Sequence, residues 1–260
     1  MAVWRRWLFA LGWAVGWGLQ AAGWAVAYAS AGVLTREWLR AAIPRTWDTY
    51  GREEHYILSG LMPWEQECYD RVLRPGDTIF LVGCGTGRDL IALLRRGHQV
   101  DGLEVASGAL ETARQMLARL DLSATLHSGA IETADLPGTF DVVIFSWYCY
   151  GYIPESRSRV AVLEKTKAAL EPGGRIIISY MPPERPRKLP IRLTMLAARL
   201  TGSDWRPQDG DKVWASLADW RFVHYEHHFD GVEIEAEARA AGLRVLFHRQ
   251  TGDRTCVLTT

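Results

Sequence analysis

The sequence predicts an α/β fold: a seven-stranded, mostly parallel sheet between helices, an antiparallel hairpin at one sheet edge, and a hydrophobic N-terminal helix. Three observations carry this. From Thr78 onward, short apolar runs alternate with stretches of helical character, the pattern of a parallel sheet with helices on both faces. The last two apolar runs are joined only by Gln250-Thr-Gly-Asp253, which is too short for a crossover and makes them an antiparallel pair. The N-terminal segment differs in composition from the rest, holding Trp4, Trp7, Trp13, Trp17 and Trp24 of the chain's 12 tryptophans.

The elements follow in order. Residues 35–76 read as helical with breaks at Pro44, Gly51, Gly60 and Pro63. Thr78-Ile-Phe-Leu-Val82 is a buried strand, followed at once by Gly83-Cys-Gly-Thr-Gly87 and a helix from Asp89 toward Gly97. Val100–Glu104 is the second strand, Ser107–Leu120 a helix, Ala124–Leu126 a short third strand and Phe140–Phe145 a fourth. Arg159–Leu170 reads as a helix stopped by Pro172-Gly-Gly174, and Arg175–Tyr180 as a fifth strand. Val223–Phe229 reads as a strand, Val232–Ala241 as a helix, and Leu243–His248 and Arg254–Thr259 as the closing hairpin.

Composition bounds the function. With 260 residues and 48% hydrophobic content the chain can bury a core. Its 30 basic and 30 acidic residues cancel, which argues against a basic nucleic-acid-binding body. Cys68, Cys84, Cys149 and Cys256 are scattered without a CxxC pair, so neither a zinc site nor a disulfide framework is expected, and a reducing compartment fits.

The stretch from Trp7 to Leu34 carries no charge, with Arg5 and Arg6 before it and Arg36, Arg40 and Arg45 after it. A bilayer core of about 30 Å needs about 20 apolar helical residues, so the expectation is a single membrane span. A signal peptide ending near Ala25-Val-Ala27 and a helix buried on the domain or lying at a membrane interface are the alternatives. Gly12, Gly16, Gly23 and Ala27 fall on one helical side with the tryptophans beside them, a division that predicts close approach by another helix, from an identical chain or another membrane protein.

Two features carry chemistry. Gly83, Gly85 and Gly87 between a buried strand and a helix permit a tight turn and let a ligand approach the backbone near free helix amides. Glu104 ends the second strand, beyond which ligands bind on such sheets, and its carboxylate can accept from ribose hydroxyls. The GxGxG spacing differs from the dinucleotide GxGxxG, which disfavours an NAD oxidoreductase.

Leu81-Val-Gly-Cys-Gly-Thr-Gly87, Val100-Asp-Gly-Leu-Glu104, Phe140-Asp-Val-Val143 and Leu170-Glu-Pro-Gly-Gly-Arg175 together resemble the ordered motifs of the class I, Rossmann-like S-adenosylmethionine (SAM)-dependent methyltransferases over roughly residues 50–260. The resemblance implies a SAM site formed by Gly83, Cys84, Gly85, Gly87, Glu104, Val105, Ala130, Ile131 and Ser146. The glycines would cradle the methionine part, Glu104 the ribose, and Gly129-Ala130-Ile131 the adenine, with Ser146 closing the pocket. Leu81 departs from the family, which often has an acid there, so the SAM amino group needs another partner. Arg96–Glu104 is also similar to the thiopurine methyltransferase-like group, whose acceptors are small thiols and halides.

Ser146-Trp-Tyr-Cys-Tyr-Gly-Tyr-Ile-Pro154 lacks Asp and Asn, unlike the NPPY loops of nucleic-acid methylation, and suggests an apolar or flat acceptor; alternatively its aromatics pack the next helix. His224, His227 and His228 suggest no metal site and are read as structural, with a single pocket histidine acting as a base the alternative. Residues 181–222 form a long insertion of the kind that covers an acceptor site. Within it Leu189, Leu193, Leu196 and Leu200 make one helical stripe among Arg185, Arg187, Lys188, Arg192 and Arg199, expected either at a membrane surface or packed on the core. No catalytic residue is assigned. The expected organisation is a membrane helix over 1–45 and a methyltransferase domain over 46–260 facing the cytoplasm, where its cofactor is found, acting on a small or lipid-like acceptor. A non-catalytic methyltransferase-fold subunit of a membrane complex is the alternative.

Overall fold

The computed structural model describes residues 3–48, 50–183, 188–215 and 223–260. The main sheet contains β1 (Thr78–Val82), β2 (Gln99–Glu104), β3 (Thr125–Ser128), β4 (Phe140–Phe145), β5 (Leu170–Tyr180), β8 (Arg244–Arg249) and β9 (Arg254–Thr259), in the order β3-β2-β1-β4-β5-β9-β8. The first five strands are mutually parallel, and β9 runs antiparallel between β5 and β8. Apolar residues on both faces bury the sheet. Phe80, Val143, Phe145, Ile176 and Ile178 face one core, while Ile79, Leu81, Val142, Ile144 and Ile177 face the other. Helices α5 (Arg88–Arg95), α6 (Ser107–Arg119), α7 (Ser156–Ala168) and α9 (Gly231–Ala240) complete the two cores.

Several local readings change. Pro44 does not end α2 (Arg36–Trp47), which runs three residues beyond it despite the lost hydrogen bond and the crowding of the preceding turn. Pro172-Gly-Gly174 lies inside β5, where the pairing with β4 shifts register, so the glycines serve a bulge rather than a connection. The segment at Val223 is no part of the main sheet. β7 (Val223–His227) pairs antiparallel with β6 (Asp211–Ala215) in a separate two-stranded sheet, and β6 gave no clear apolar run to find it by. This ribbon packs on α2: Leu34, Leu39 and Ala42 share a core with Trp205, Val223 and Tyr225. Two further short helices, α3 (Glu54–Ile57) and α4 (Pro63–Val72), lead from α2 into β1.

The N-terminal helix α1 (Val3–Ala31) has 29 residues, about 43 Å at 1.5 Å per residue. The expected transmembrane span is nevertheless not supported, since no helix among the described residues is long and apolar enough to cross a membrane. Composition is the reason: beyond Arg5 and Arg6, α1 is uncharged, but it is rich in glycine, alanine and tryptophan, which do not make its mean hydropathy high. Within the chain, a close helix approach is made next to α1, at Gly32. No other atom lies within 4 Å of where a Cβ would sit on Gly12, Gly16 or Gly23, whereas a Cβ on Gly32 would come within 2.3 Å of the Thr194 carbonyl oxygen and 2.7 Å of the Ala197 Cβ. The partner is α8 (Lys188–Thr201), whose Thr194 hydroxyl donates to the Tyr28 carbonyl at 2.8 Å.

Packing on α1 uses the Thr194 and Ala198 side of α8, while of the leucine stripe Leu193 is half-buried and Leu196 and Leu200 are exposed. Arg185 and Arg187, part of the predicted basic surround, lie outside the described residues.

Gly32→Leu should destabilise the fold by about 1–3 kcal/mol through overpacking against α8, lowering the thermal midpoint, while Gly12→Leu should leave it unchanged. Equal midpoints for the two variants would show that the α1–α8 contact contributes nothing to stability.

Candidate functional site

The carboxyl ends of β1, β2 and β4 open into a cleft of about 1040 Å³, the location where open parallel sheets place ligands. Of the nine residues expected to form the site, eight line it: Gly83, Cys84, Gly85, Glu104, Val105, Ala130, Ile131 and Ser146. Gly87 does not. It caps α5 with φ +100°, so its glycine serves the turn. Gly85, at φ +54°, has open space beside its Cα and leaves the backbone accessible to a ligand.

Glu104 is buried, and its carboxylate accepts from Gly85 N at 2.8 Å, Val105 N at 2.9 Å and Ala106 N at 2.8 Å. Burial pushes its pKa up against the lowering effect of those three N–H groups. Three of a carboxylate's roughly four acceptor positions are thus occupied, leaving Oε2 with capacity toward the cleft. Glu104 therefore both holds the glycine loop against β2 and offers one acceptor to a ligand. Cys84 is buried and Cys149 half-buried, and burial drives both thiol pKa values well up.

The other end of the cleft holds a charge cluster that pattern reading missed. Arg88 lies 5% exposed between two carboxylates. Its Nη2 donates to Glu65 Oε1 at 2.5 Å and its Nε to Asp89 Oδ1 at 2.7 Å, while the Ser146 hydroxyl donates to Asp89 Oδ2 at 2.5 Å. Arg88 Nη1 is buried without a hydrogen-bond partner. The guanidinium also sits 4.8 Å above the Trp147 ring. Burial works against the charge on Arg88, but Asp89 and Glu65 outweigh it and raise its pKa. Burial, then repulsion from Asp89, lifts Glu65 to about 7, because two carboxylates share one cation. The one signal for the cluster was the Arg88-Asp89 pair following the glycine turn; Glu65, 23 positions earlier, is joined to it only by the fold.

Aromatic residues wall the cleft. Trp47, Tyr50, Tyr56, Trp147 and Tyr152 all line it. The loop after β4 divides between both expected roles: Trp147 and Tyr152 face the cleft, whereas Tyr150 is fully buried and donates to Glu237 Oε2 at 2.8 Å. Each of the three histidines of the β7 segment meets a carboxylate. His227 lies between Asp211 and Glu233, at 2.7 and 2.9 Å, and His224 and His228 both contact Glu226. His224 additionally packs edge-on to Tyr152, 5.6 Å between ring centres.

Residues 79–174 match the family described as "Methyltransferase domain". A protein-L-isoaspartate O-methyltransferase of Methylorubrum extorquens is 34% identical over 116 residues, 43% of this chain and 45% of that protein. A ubiquinone biosynthesis O-methyltransferase of Xanthomonas campestris is 28% identical over 113 residues, 43% of this chain and 46% of that protein. The chain thus spans about half the length of the curated relatives it matches. Among solved structures, a SAM-dependent methyltransferase of Methanosarcina mazei superposes with a TM-score of 0.58 at 17% identity, covering 76% of this chain and 97% of that one. The SAM-bound amino pentose methyltransferase of Micromonospora echinaspora superposes at 0.51 with 23% identity, over 76% and 92% of the two chains. These structural likenesses extend the shared fold well beyond the matched residues.

Because the raised pKa makes the folded state hold the Glu65 proton more tightly than the unfolded chain, this group's effect on stability is lost as pH rises from the ordinary carboxylate range through about 7. In Asp89→Asn the midpoint should fall below about 7, read from carbon-13 carboxyl shifts. An unmoved midpoint would show that Asp89 has no part in setting it.

Proposed function

We propose that this chain, which carries a class I SAM-dependent methyltransferase domain, binds SAM in the cleft at the ends of β1 and β2 and transfers its methyl group to a small acceptor. The observation that carries this is the pairing, in one cleft, of the Glu104 carboxylate locked onto the Gly85 amide with the Arg88–Asp89 pair at the opposite end. The ribose takes the free capacity of Glu104 Oε2, and the adenine lies against Val105, Ala130 and Ile131. Asp89 compensates for Leu81: its carboxylate stands one residue into α5 and supplies a negative charge for the SAM amino group, while the unpartnered Nη1 of Arg88 is available to the SAM carboxylate.

The transfer needs alignment more than acid–base help. An acceptor lone pair forms a bond to the methyl carbon as the carbon–sulfur bond breaks. That electron pair stays on sulfur, S-adenosylhomocysteine is left neutral at sulfur, and any acceptor proton passes to solvent. Trp47, Tyr56, Trp147 and Tyr152 exclude water from the reacting centre. Calorimetry with S-adenosylhomocysteine tests the reading. Wild type should bind it in preference to NAD, and Glu104→Gln should weaken binding roughly tenfold or more, the worth of a charged hydrogen bond. Absence of binding, or equal affinity in the variant, overturns the assignment.

A second reading concerns location. Leu11, Trp13, Val15, Trp17, Leu19, Trp24 and Val26 are all more than half exposed on α1, the tryptophans on one face of the helix and the aliphatic residues on another. We infer that α1 lies along an anionic lipid surface with its tryptophans at the headgroup level, assisted by Arg192 and Arg199, exposed on the adjoining α8. In flotation assays the full chain should rise with vesicles containing phosphatidylserine, and Trp13→Ser/Trp17→Ser/Trp24→Ser should stay at the bottom of the gradient. Flotation unaffected by the triple change would place the lipid contact elsewhere.

A further inference from the structure

Beside the first cleft a second one opens over the ends of β5 and β9. Met62 and Trp64 of the α4 start, Trp147 and Tyr148 of the loop after β4, Met181, and Arg254 of the β8–β9 hairpin line it. Trp147 also lines the first cleft, so one indole is the shared wall of both.

The backbone at that wall is strained. Trp147 has φ +43° and Tyr148 φ +62°, two consecutive bulky residues in the left-handed region, a conformation worth roughly 1–3 kcal/mol of cost at each residue. It persists because surrounding contacts dictate it. The Tyr148 N–H donates to the Ser179 hydroxyl at 3.0 Å, Trp64 stacks on Tyr148 with ring centres 5.7 Å apart and planes 15° apart, and the Arg88 guanidinium lies over Trp147. The consequence is that two aromatic side chains stand at the boundary, Trp147 lining both clefts and Tyr148 the second.

The chemistry of the second cleft is selective. Met62, Trp64, Trp147, Tyr148 and Met181 offer apolar and flat surface, suited to a planar ring. Across from them, Arg254 Nε is buried with no hydrogen-bond partner, a donor that a ligand anion would satisfy. Asp253 lies on the same rim, beside Tyr148, whose pKa its charge raises. We propose that this second cleft is the acceptor site, and that it takes a planar aromatic molecule with an anionic substituent held by Arg254, its nucleophilic edge presented past Trp147 to the SAM methyl. This rests on the SAM reading of the first cleft.

The probes are 3,4-dihydroxybenzoate, a planar ring with a carboxylate and hydroxyls, and 1,2-dihydroxybenzene, the same ring without the carboxylate. Each is titrated by calorimetry into the full chain saturated with S-adenosylhomocysteine, whose own affinity is measured first. The benzoate should bind the loaded protein, and Arg254→Gln should weaken it roughly tenfold or more while 1,2-dihydroxybenzene is affected less than about twofold. Met181→Trp, which fills the cleft, should abolish binding of the benzoate. Unchanged S-adenosylhomocysteine affinity in both variants shows that the fold and first cleft are intact. The inference is overturned if the loaded wild type does not bind the benzoate, if Arg254→Gln leaves its affinity unchanged, or if the benzoate competes with S-adenosylhomocysteine. Failure of S-adenosylhomocysteine itself to bind would count against the SAM reading instead, and is seen before either probe is added.

Discussion

The buried Arg88 guanidinium is the interaction on which the site depends. A cation taken out of water must be matched, and here Glu65 and Asp89 match it from two different helices. That requirement pins α4 against the start of α5. Through Asp89 it also fixes Ser146 at the end of β4, and through the guanidinium face it fixes Trp147. Removing Arg88 would leave two buried carboxylates without their cation, at a cost of about 3–5 kcal/mol. One side chain thus ties together the floor of the cofactor cleft, the loop after β4 and the N-terminal helices that close over both.

Around that anchor the cleft is built by opposing demands. The glycine turn needs amides free enough to meet a ligand, yet buried amides need partners. Glu104 resolves this by accepting from Gly85, Val105 and Ala106 while keeping an oxygen toward the cleft. The aromatic loop resolves a similar conflict. Tyr150 goes inward to the core and to Glu237, and the residues before it are forced into left-handed backbone that turns Trp147 and Tyr148 outward. Strain at the boundary between two clefts is the geometric result of anchoring the loop at Tyr150.

The N-terminal half of α1 and the leucine face of α8 follow different rules from the domain. Their small residues meet only near Gly32, Thr194 and Ala197, and their large apolar residues stay exposed. By contrast α2, immediately after, is a full member of the fold: Leu39 is completely buried against the β6–β7 ribbon, while Arg40, Ile43 and Trp47 reach the cleft. The change from exposed helix to core helix falls within a few residues of Leu34.

Sequence alone determined the alternation of strands and helices from Thr78, the glycine turn, Glu104 at the end of β2 and the antiparallel closing hairpin. Each of these is a local property: an apolar run, a residue that tolerates positive φ, or a connection too short to cross over. Tertiary structure decided what depends on residues far apart in the chain. Glu65 and Asp89 became partners of Arg88 only because α4 and α5 meet, and the β7 segment left the main sheet only because β6 and α2 offered a better burial for Tyr225. The leucine stripe of α8 was read correctly as a stripe, yet which side would be covered depended on Gly32 admitting a close backbone approach to Thr194. Periodicity marks a face, but only the shape of its neighbour decides which face is buried.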